Sequence, residues 1–361
     1  MAFSLDLHPF AYRALLQGNG TWKEEYVEQS HKSAAEEAAM NPDKLAEMNG
    51  RRNMWPDMPL VSYTTQYGLG CFEGLKAMPQ KNGGLAIFRP DQNAARFRRS
   101  MEGLLMPGFP EDKFLKAVVE VVKRNEKLGF TLKYDPAWEK DNFSQASSIY
   151  LRPFSYAEGG IGVNASTHPY VIVVANPVSA YFSGGNSKAI TTDRIRATPR
   201  GTGWIKADSN YVMSMLAKKE ANHAGYMEVV FLDAKEGKYI QEGSSCNFFA
   251  YLKSGELVTP DLGDTILPGI TRKSVLELAR DKGVKTAERP LSIEEVMSEA
   301  KECFVTGTAA GITTLESVTH KGKEAVFNDR KPGELSLELQ KTLKGIQYGA
   351  LPDTKGWMVK V

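Results

Sequence analysis

The spacing of apolar positions changes several times along the chain, and each change marks an expected element. In EDKFLKAVVEVVKRNEKLG (111–129), Phe114, Leu115, Val118, Val119, Val121 and Val122 recur at helical spacing, and Gly129 stops the run. DQNAARFRRSMEGLLM (91–106) carries Ala95, Phe97, Met101 and Leu105 near the same period, with Asp91 placed to cap a helix. Further helices are expected at 207–222, 270–282, 293–300 and 333–346. SSIYLRPFSY (147–156) and HPYVIVVANPVSAYF (168–182) read as strands, the second buried on both faces. MEVVFLDAKEGKYIQEGSSCNFFAYL (227–252) reads as strand-rich, with a hairpin around Lys235–Lys238.

Residues 17–53 are polar, and their HKSAAEEAAMNPDKLAEMNGRRN piece suits a short helix or a mobile excursion. SGGNSK (183–188) is the best linker candidate. The mixed order of strands and helices predicts a mixed α/β (α+β) architecture in two domains. We expect a smaller N-terminal domain at 1–178, an interdomain loop at 179–189, and a larger domain at 190–361.

Composition narrows the function classes. The chain is 42% hydrophobic and 24% charged with a net charge of +2, and it has no basic block, which argues against nucleic-acid binding. Cys71, Cys246 and Cys303 are odd in number and far apart, which excludes a disulfide framework or a CxxC site and suits a reducing compartment. The five histidines form no HxxxH or HExxH pattern, so no metal centre is expected. No apolar run has the length of a membrane span, and the N-terminus lacks the features of a signal peptide, so the cytoplasm is the default location.

Several motifs fail on spacing. GLGCFEG (68–74) misplaces the third glycine of a dinucleotide fingerprint and lacks a βαβ context. GTGWIK (201–206) lacks Walker spacing, and no GxSxG elbow occurs. Glu73 and Lys76 read as a solvated or structural pair as readily as a catalytic one. Lys206 stands out. A lysine is usually a snorkelling surface residue, but this one follows glycine, Trp204 and Ile205, surroundings that would desolvate an amine and favour imine chemistry. Glu242, in a hairpin strand just before a small-residue turn, supplies an acid. An imine-forming lysine and a carboxylate for the ring nitrogen are what pyridoxal phosphate requires.

These features occur within an ordered series: QYGLGCFEGLKA, FRP…ARFRRS, SSIYLRP, SAYFSGG, GTGWIKADSNY, QEGSSCNFFAY, LPGITRKSVLELA and FVTGTAAGI. In this the chain resembles the branched-chain amino-acid aminotransferases, members of the fold-type IV pyridoxal-phosphate enzymes, from about Trp55 to the C-terminus. The resemblance implies a two-domain fold with its active site at the domain interface. It also implies ping-pong transamination between L-leucine, isoleucine or valine and 2-oxoglutarate, the amino group being held as pyridoxamine phosphate. By resemblance, Lys206 is the Schiff-base lysine and proton shuttle, Tyr211 meets the cofactor's phenolic oxygen, and Glu242 meets its ring nitrogen. Arg96, Ile270, Thr271 and Thr308 would hold the phosphate, the middle two through a helix N-terminus. Ser245 and Ala309 would meet the substrate carboxylate. Tyr67, Phe72, Tyr150 and Tyr181 would wall the side-chain pocket, and Arg152 would receive the distal carboxylate of 2-oxoglutarate. A homodimer is implied, with Tyr67 and the Ile161–Val163 loop lent between subunits.

The chain departs from the family at KADSNY, where relatives commonly have Lys-x-Gly-Gly-Asn-Tyr, and it has no cysteine pair after GTA. A D-amino-acid aminotransferase or an aminodeoxychorismate lyase on the same scaffold is the alternative. FEGLKA, YLRP and the chain length favour the branched-chain reading. A non-catalytic, cofactor-storing relative is disfavoured by the intact set of Lys206, Tyr211 and Glu242.

Overall fold

The computed structural model describes residues 5–55, 57–179, 187–309 and 311–361. The chain folds as two compact units: Met1–Tyr181 with Lys206–Ser209 and Ile346–Val361, and Phe182–Ile205 with Asn210–Gly345.

The first unit is built on seven antiparallel strands: β1 (Phe10–Leu16), β2 (Trp22–Glu28), β3 (Leu75–Pro79), β4 (Leu85–Phe88), β5 (Ser148–Tyr156), β6 (Tyr170–Val178) and β17 (Met358–Lys360). Their order is β17-β4-β3-β5-β6-β1-β2. The apolar stripe of α5 (Glu111–Lys127) puts Phe114, Val118, Val121 and Val122 in the core beside Phe97 and Met101 of α4 (Pro90–Gly103). These side chains join Leu75, Ile87, Ile149 and Val171 from the sheet. Asp91 lies in the first turn of α4 and does not cap it. Pro90, whose fixed φ suits a first helical position, starts the helix after Arg89 at φ 46°.

The polar stretch 17–53 is ordered where the residues' own chemistry allows. It holds the edge strand β2, then α1 (Ala34–Ala38) and α2 (Pro42–Arg52), with Ser33 and Glu36 forming a capping box. Arg52 is buried and bidentate to the equally buried Glu37, which ties α2 to α1. Beside α2 lies a cavity of about 540 Å³ whose walls include Arg13, Met48 and Trp55. None of the expected site residues lines it. A helix of one turn, α3 (Tyr63–Tyr67), follows, capped by Ser62.

The second unit contains a ten-stranded mixed sheet. Its strands are β7 (Lys188–Thr192), β8 (Glu228–Leu232), β9 (Ile240–Gly243), β10 (Asn247–Leu252), β11 (Glu256–Thr259), β12 (Lys285–Glu288), β13 (Ala300–Gly307), β14 (Gly311–Leu315), β15 (Ser317–His320) and β16 (Lys323–Val326). The expected hairpin is β8–β9, its turn organised by Asp233 accepting four backbone N–H groups. The helices are α6 (Asn210–His223), α7 (Ile270–Asp281), α8 (Ile293–Glu299) and α9 (Glu334–Gln347).

Two segments differ from the expected division at 190. Lys206–Ser209 and Ile346–Val361 fold with the first unit because both supply backbone partners to it. β17 extends the sheet at β4, and residues 206–208 bond to residues 70–72. That pairing is also why α6 begins at Asn210 and not at residue 207.

Candidate active site

Residues 70–73 form a short extended strip held on both sides. On one side, Glu73 N–H donates to Pro153 O (2.7 Å) and Ser155 N–H to Cys71 O (2.8 Å). On the other, Phe72 N–H donates to Lys206 O (3.1 Å) and Asp208 N–H to Gly70 O (2.9 Å). Cys71 pairs with Ala207 and Phe72 with Phe154, both antiparallel. Side chains alternate along such a ladder, so Gly70, Phe72, Gly74, Lys206, Asp208, Arg152 and Phe154 share one face.

The glycines open that face. A Cβ at Gly74 would lie 2.0 Å from the Tyr150 hydroxyl, and one at Gly70 would lie 2.3 Å from Asp208 Oδ2. GLGCFEG is therefore a clearance motif around Phe72 and not a phosphate loop. Lys206 Nζ lies 4.7 Å from the Phe72 ring centroid, and the Arg152 guanidinium lies 4.5 Å from it. Arg152 also donates to Tyr150 Oη (2.9 Å), while its buried Nε has no hydrogen-bond partner. Burial raises the Asp208 carboxyl to about pKa 6, against the opposing pull of Arg152's charge.

Glu73 is fully buried and chelates Arg96, with Nε–Oε1 at 2.7 Å and Nη2–Oε2 at 2.8 Å. Asn93 adds a bond of 2.7 Å. Burial alone would raise this carboxyl's pKa, but Arg96's charge and hydrogen bond, the charge of Lys206 and Asn93 hold it below its usual value. Arg96 is thus a buried, oriented guanidinium and not the exposed arginine its RFRR context suggests. Glu73 and Lys76 are both buried, so neither is the solvated residue the sequence allowed.

In the second unit, Glu242 on β9 is ion-paired to Arg196 and accepts from Asn247 Nδ2 (3.2 Å). Asn247 also donates to Leu267 O (3.0 Å), just before the start of α7. A Cβ at Gly269 would lie 1.9 Å from Asn247 Oδ1, so only glycine admits this bridge. Gly269 is the N-cap of α7 and offers no side-chain cap, leaving the first-turn N–H groups at Ile270 and Thr271 for an anion. Both residues are buried. The turn bearing Ser245 packs against Gly307, where a Cβ would lie 3.5 Å from Ser245 O. Thr308 and Ala309 follow Gly307 and are half-buried, so three of the expected anion-binding residues meet at two adjacent turns. Tyr211 is half-buried in the first turn of α6.

The structure therefore gathers Lys206, Phe72, Tyr150 and Arg152 in one unit. In the other it gathers Glu242, Ser245, Ile270, Thr271, Thr308 and Ala309. Tyr67 ends α3 and is 47% exposed, its hydroxyl accepting from Gly162 N–H (2.9 Å). Tyr181 lies outside the described residues, as do positions 183–186 of the expected linker.

Sequence reasoning missed two residues. Arg196, the partner of Glu242, sits in RIRATPRGTG, where nothing separates it from its neighbouring arginines. Lys344 on α9 is a lysine whose amine burial brings down to about pKa 8. A Cβ at Gly311 would lie 3.1 Å from Lys344 Cε, which places this side chain beside the first residue of β14. The polar stripe of α9 hides it from a reading of periodicity. The cysteine reading fares differently: Cys71, Cys246 and Cys303 are free and buried, and burial pushes all three thiols up.

Each unit, taken by itself, carries groups of the kind pyridoxal phosphate requires: a lysine on a cleared face in the first, and an uncapped helix start and a buried ion-paired carboxylate in the second. Residues 70–318 match the family of class IV amino-transferases. A probable branched-chain-amino-acid aminotransferase of Staphylococcus epidermidis is 37% identical over 327 residues, which is 85% of this chain and 87% of that one. The chain belongs to the class IV aminotransferases. Among solved structures, the Escherichia coli branched-chain amino acid aminotransferase aligns with a TM-score of 0.72 at 29% identity, covering 84% of this chain and 94% of that one. The branched-chain aminotransferase of the thermophilic archaeon Thermoproteus uzoniensis, solved with norvaline, gives a TM-score of 0.70 at 28% identity, covering 84% and 94%. The fold is therefore that of the fold-type IV aminotransferases.

Proposed function

We propose that the protein transfers the amino group of L-leucine, L-isoleucine or L-valine to 2-oxoglutarate, using pyridoxal 5′-phosphate. The observation that carries this reading is the cleared face on which Lys206, Phe72, Tyr150 and Arg152 lie together. Bound there, the cofactor would supply an aldehyde for amines and a sink for electrons from the α-carbon. Lys206 would hold the cofactor and then carry the proton between its C4′ and the substrate α-carbon. Glu242, oriented by Arg196 and Asn247, would keep a proton on the ring nitrogen. Tyr211 would donate to the phenolic oxygen. Arg96, Thr308 and the α7 start at Ile270 and Thr271 would take the phosphate, with Ser245 and Ala309 at the substrate carboxylate.

Phe72, Tyr67, Tyr150 and Tyr181 would bury the branched side chain, a gain of about 1.5–3 kcal/mol. Arg152 would take the distal carboxylate of the second substrate through its unpartnered Nε. Homodimerisation completes the proposal. Leu60, Ile161 and Val163 are 88%, 81% and 92% exposed around Tyr67, a surface suited to a second copy of this chain. Among the described residues no helix is long and apolar enough to cross a membrane. Three free, buried thiols suit the reducing cytoplasm.

The test is a half-reaction. Protein loaded with pyridoxal phosphate is mixed separately with L-leucine and D-alanine, and the visible band of the bound cofactor is followed. Loss with L-leucine only, restored by 2-oxoglutarate, is expected. Loss only with D-alanine would move the protein to the D-amino-acid alternative.

A further inference from the structure

Asp208 occupies a position for which the proposed reaction has no use. The lack of a side chain at Gly70 is what admits it, since a Cβ there would lie 2.3 Å from Asp208 Oδ2. Its backbone N–H is fixed on Gly70 O, so ladder alternation directs its carboxylate to the face that carries Lys206, Phe72 and Arg152. Arg152 is the cation whose charge acts on that carboxylate. Arg152 is also held in place, with one donor on Tyr150 Oη, its plane against Phe72 and a buried Nε without a partner.

We propose that Asp208 is a specificity residue, a resident carboxylate on the Arg152 face that weakens the site's hold on a second, distal carboxylate and so favours monocarboxylic 2-oxo acids over the dicarboxylic one. The proposal rests on the reading of Arg152 as the receiver of the distal carboxylate. The physical reason is competition. A guanidinium that shares its face with an anion, with Phe72 between them, has part of its field cancelled, and an incoming dianion meets Asp208 as a like charge in a partly desolvated place. A monocarboxylic acid of the same length brings only an apolar end to this region, and Phe72 and Tyr150 receive that equally well with or without the Asp208 charge. The side chain does not touch the reacting atoms, so its effect belongs in substrate affinity and not in the chemical step.

The experiment measures calorimetric affinities of the cofactor-loaded enzyme for two unreactive probes, glutarate and 4-methylpentanoate. Asp208→Asn keeps shape and removes charge, and Asp208→Ser serves as a second, smaller variant. Retention of the cofactor's visible band in each variant reports an intact fold. Both variants should bind glutarate about tenfold more tightly, with 4-methylpentanoate changed less than twofold. In an Arg152→Ala background the gain should vanish. Equal tightening of both probes, no tightening, or a gain that survives in Arg152→Ala would overturn the proposal. The underlying reading has its own outcome. If Arg152→Ala alone weakens both probes equally, Arg152 is not the distal-carboxylate receiver and the proposal falls with it. If Arg152→Ala is selective and Asp208→Asn is not, only the Asp208 proposal falls.

Discussion

The two units hold their expected site residues by opposite means. In the first, the functional side chains come from one ladder of three extended segments, and strand alternation alone places Lys206, Phe72 and Arg152 on one face. In the second, they come from where elements end or begin: 242–245 at the end of β9 and the turn after it, 267–271 at the start of α7, and 307–309 at the end of β13 and the turn after it. The ladder presents side chains above a surface cleared by glycine. The turns present backbone N–H groups and one buried ion pair. Under the proposed function, the ladder side chains Phe72, Tyr150 and Arg152 would discriminate among substrate side chains, while the turns would serve groups common to every cycle, the cofactor and the substrate carboxylate.

That contrast is open to attack at several points. Lys206→Ala should do the most damage, lowering transamination by at least about 10³-fold, since a positioned proton-transfer group is worth roughly 10²–10⁴. The turns of the second unit should still retain cofactor, read as bound phosphopyridoxyl after gel filtration. Glu242→Gln should lower kcat by about 10²-fold or more while changing cofactor affinity much less, as expected if its proposed role at the ring nitrogen is electrostatic and grows toward the transition state. Steady-state kinetics with a cofactor titration separates the two effects.

Next in size come the glycines, one in each unit. Gly74→Ala drives a methyl onto the Tyr150 hydroxyl at 2.0 Å, and Gly269→Ala drives one onto Asn247 Oδ1 at 1.9 Å. Each should destabilise the protein by about 1–3 kcal/mol in chemical denaturation. The first should raise KM for amino acids, and the second should weaken cofactor binding. If both altered the same parameter, the division of labour would be wrong. Arg152→Ala should raise KM for 2-oxoglutarate about tenfold, with little change for leucine, as expected for one charge-assisted bond of about 1.5–3 kcal/mol.

A slighter change is expected in stability against pH. Burial raises the folded-state pKa of Asp208 to about 6 from its ordinary 3.8, so its ionisation opposes folding. The cost is complete above about pH 6, fades as pH falls through 6 toward 4, and is absent below the unfolded value. Asp208→Asn should therefore stabilise the protein at pH 8 by about 1 kcal/mol, a figure reduced for the group's partial exposure, and should give no gain at pH 4. Equal gains at both pH values would show that the charge is not the cause.

How much was legible follows the same division. Helices α5 and α7 and strands β5 and β6 were readable because their apolar residues repeat at 3.6 or run unbroken. β2, WKEEYVE, was not, because an edge strand exposes charged side chains and reads as polar loop. The return of 346–361 to the first unit was hidden too, since three residues of edge strand, Met358–Lys360, carry no pattern of their own. Lys206 drew notice from its apolar neighbours, yet what places it is backbone pairing with Phe72, which no local pattern reveals. The Glu242–Arg196 pair joins residues 46 apart in sequence, and only the fold brings them together. Arg96 shows the limit most plainly: from RFRR it looks solvated, and in the fold it is locked to Glu73.

All of this turns on the cofactor-bearing amine being the one on the cleared face. Borohydride reduction of the cofactor-loaded protein, followed by peptide mass mapping, identifies that amine. A single phosphopyridoxyl label on Lys206 is expected. A label on Lys344, the amine that burial brings down to about pKa 8, would refute the assignment.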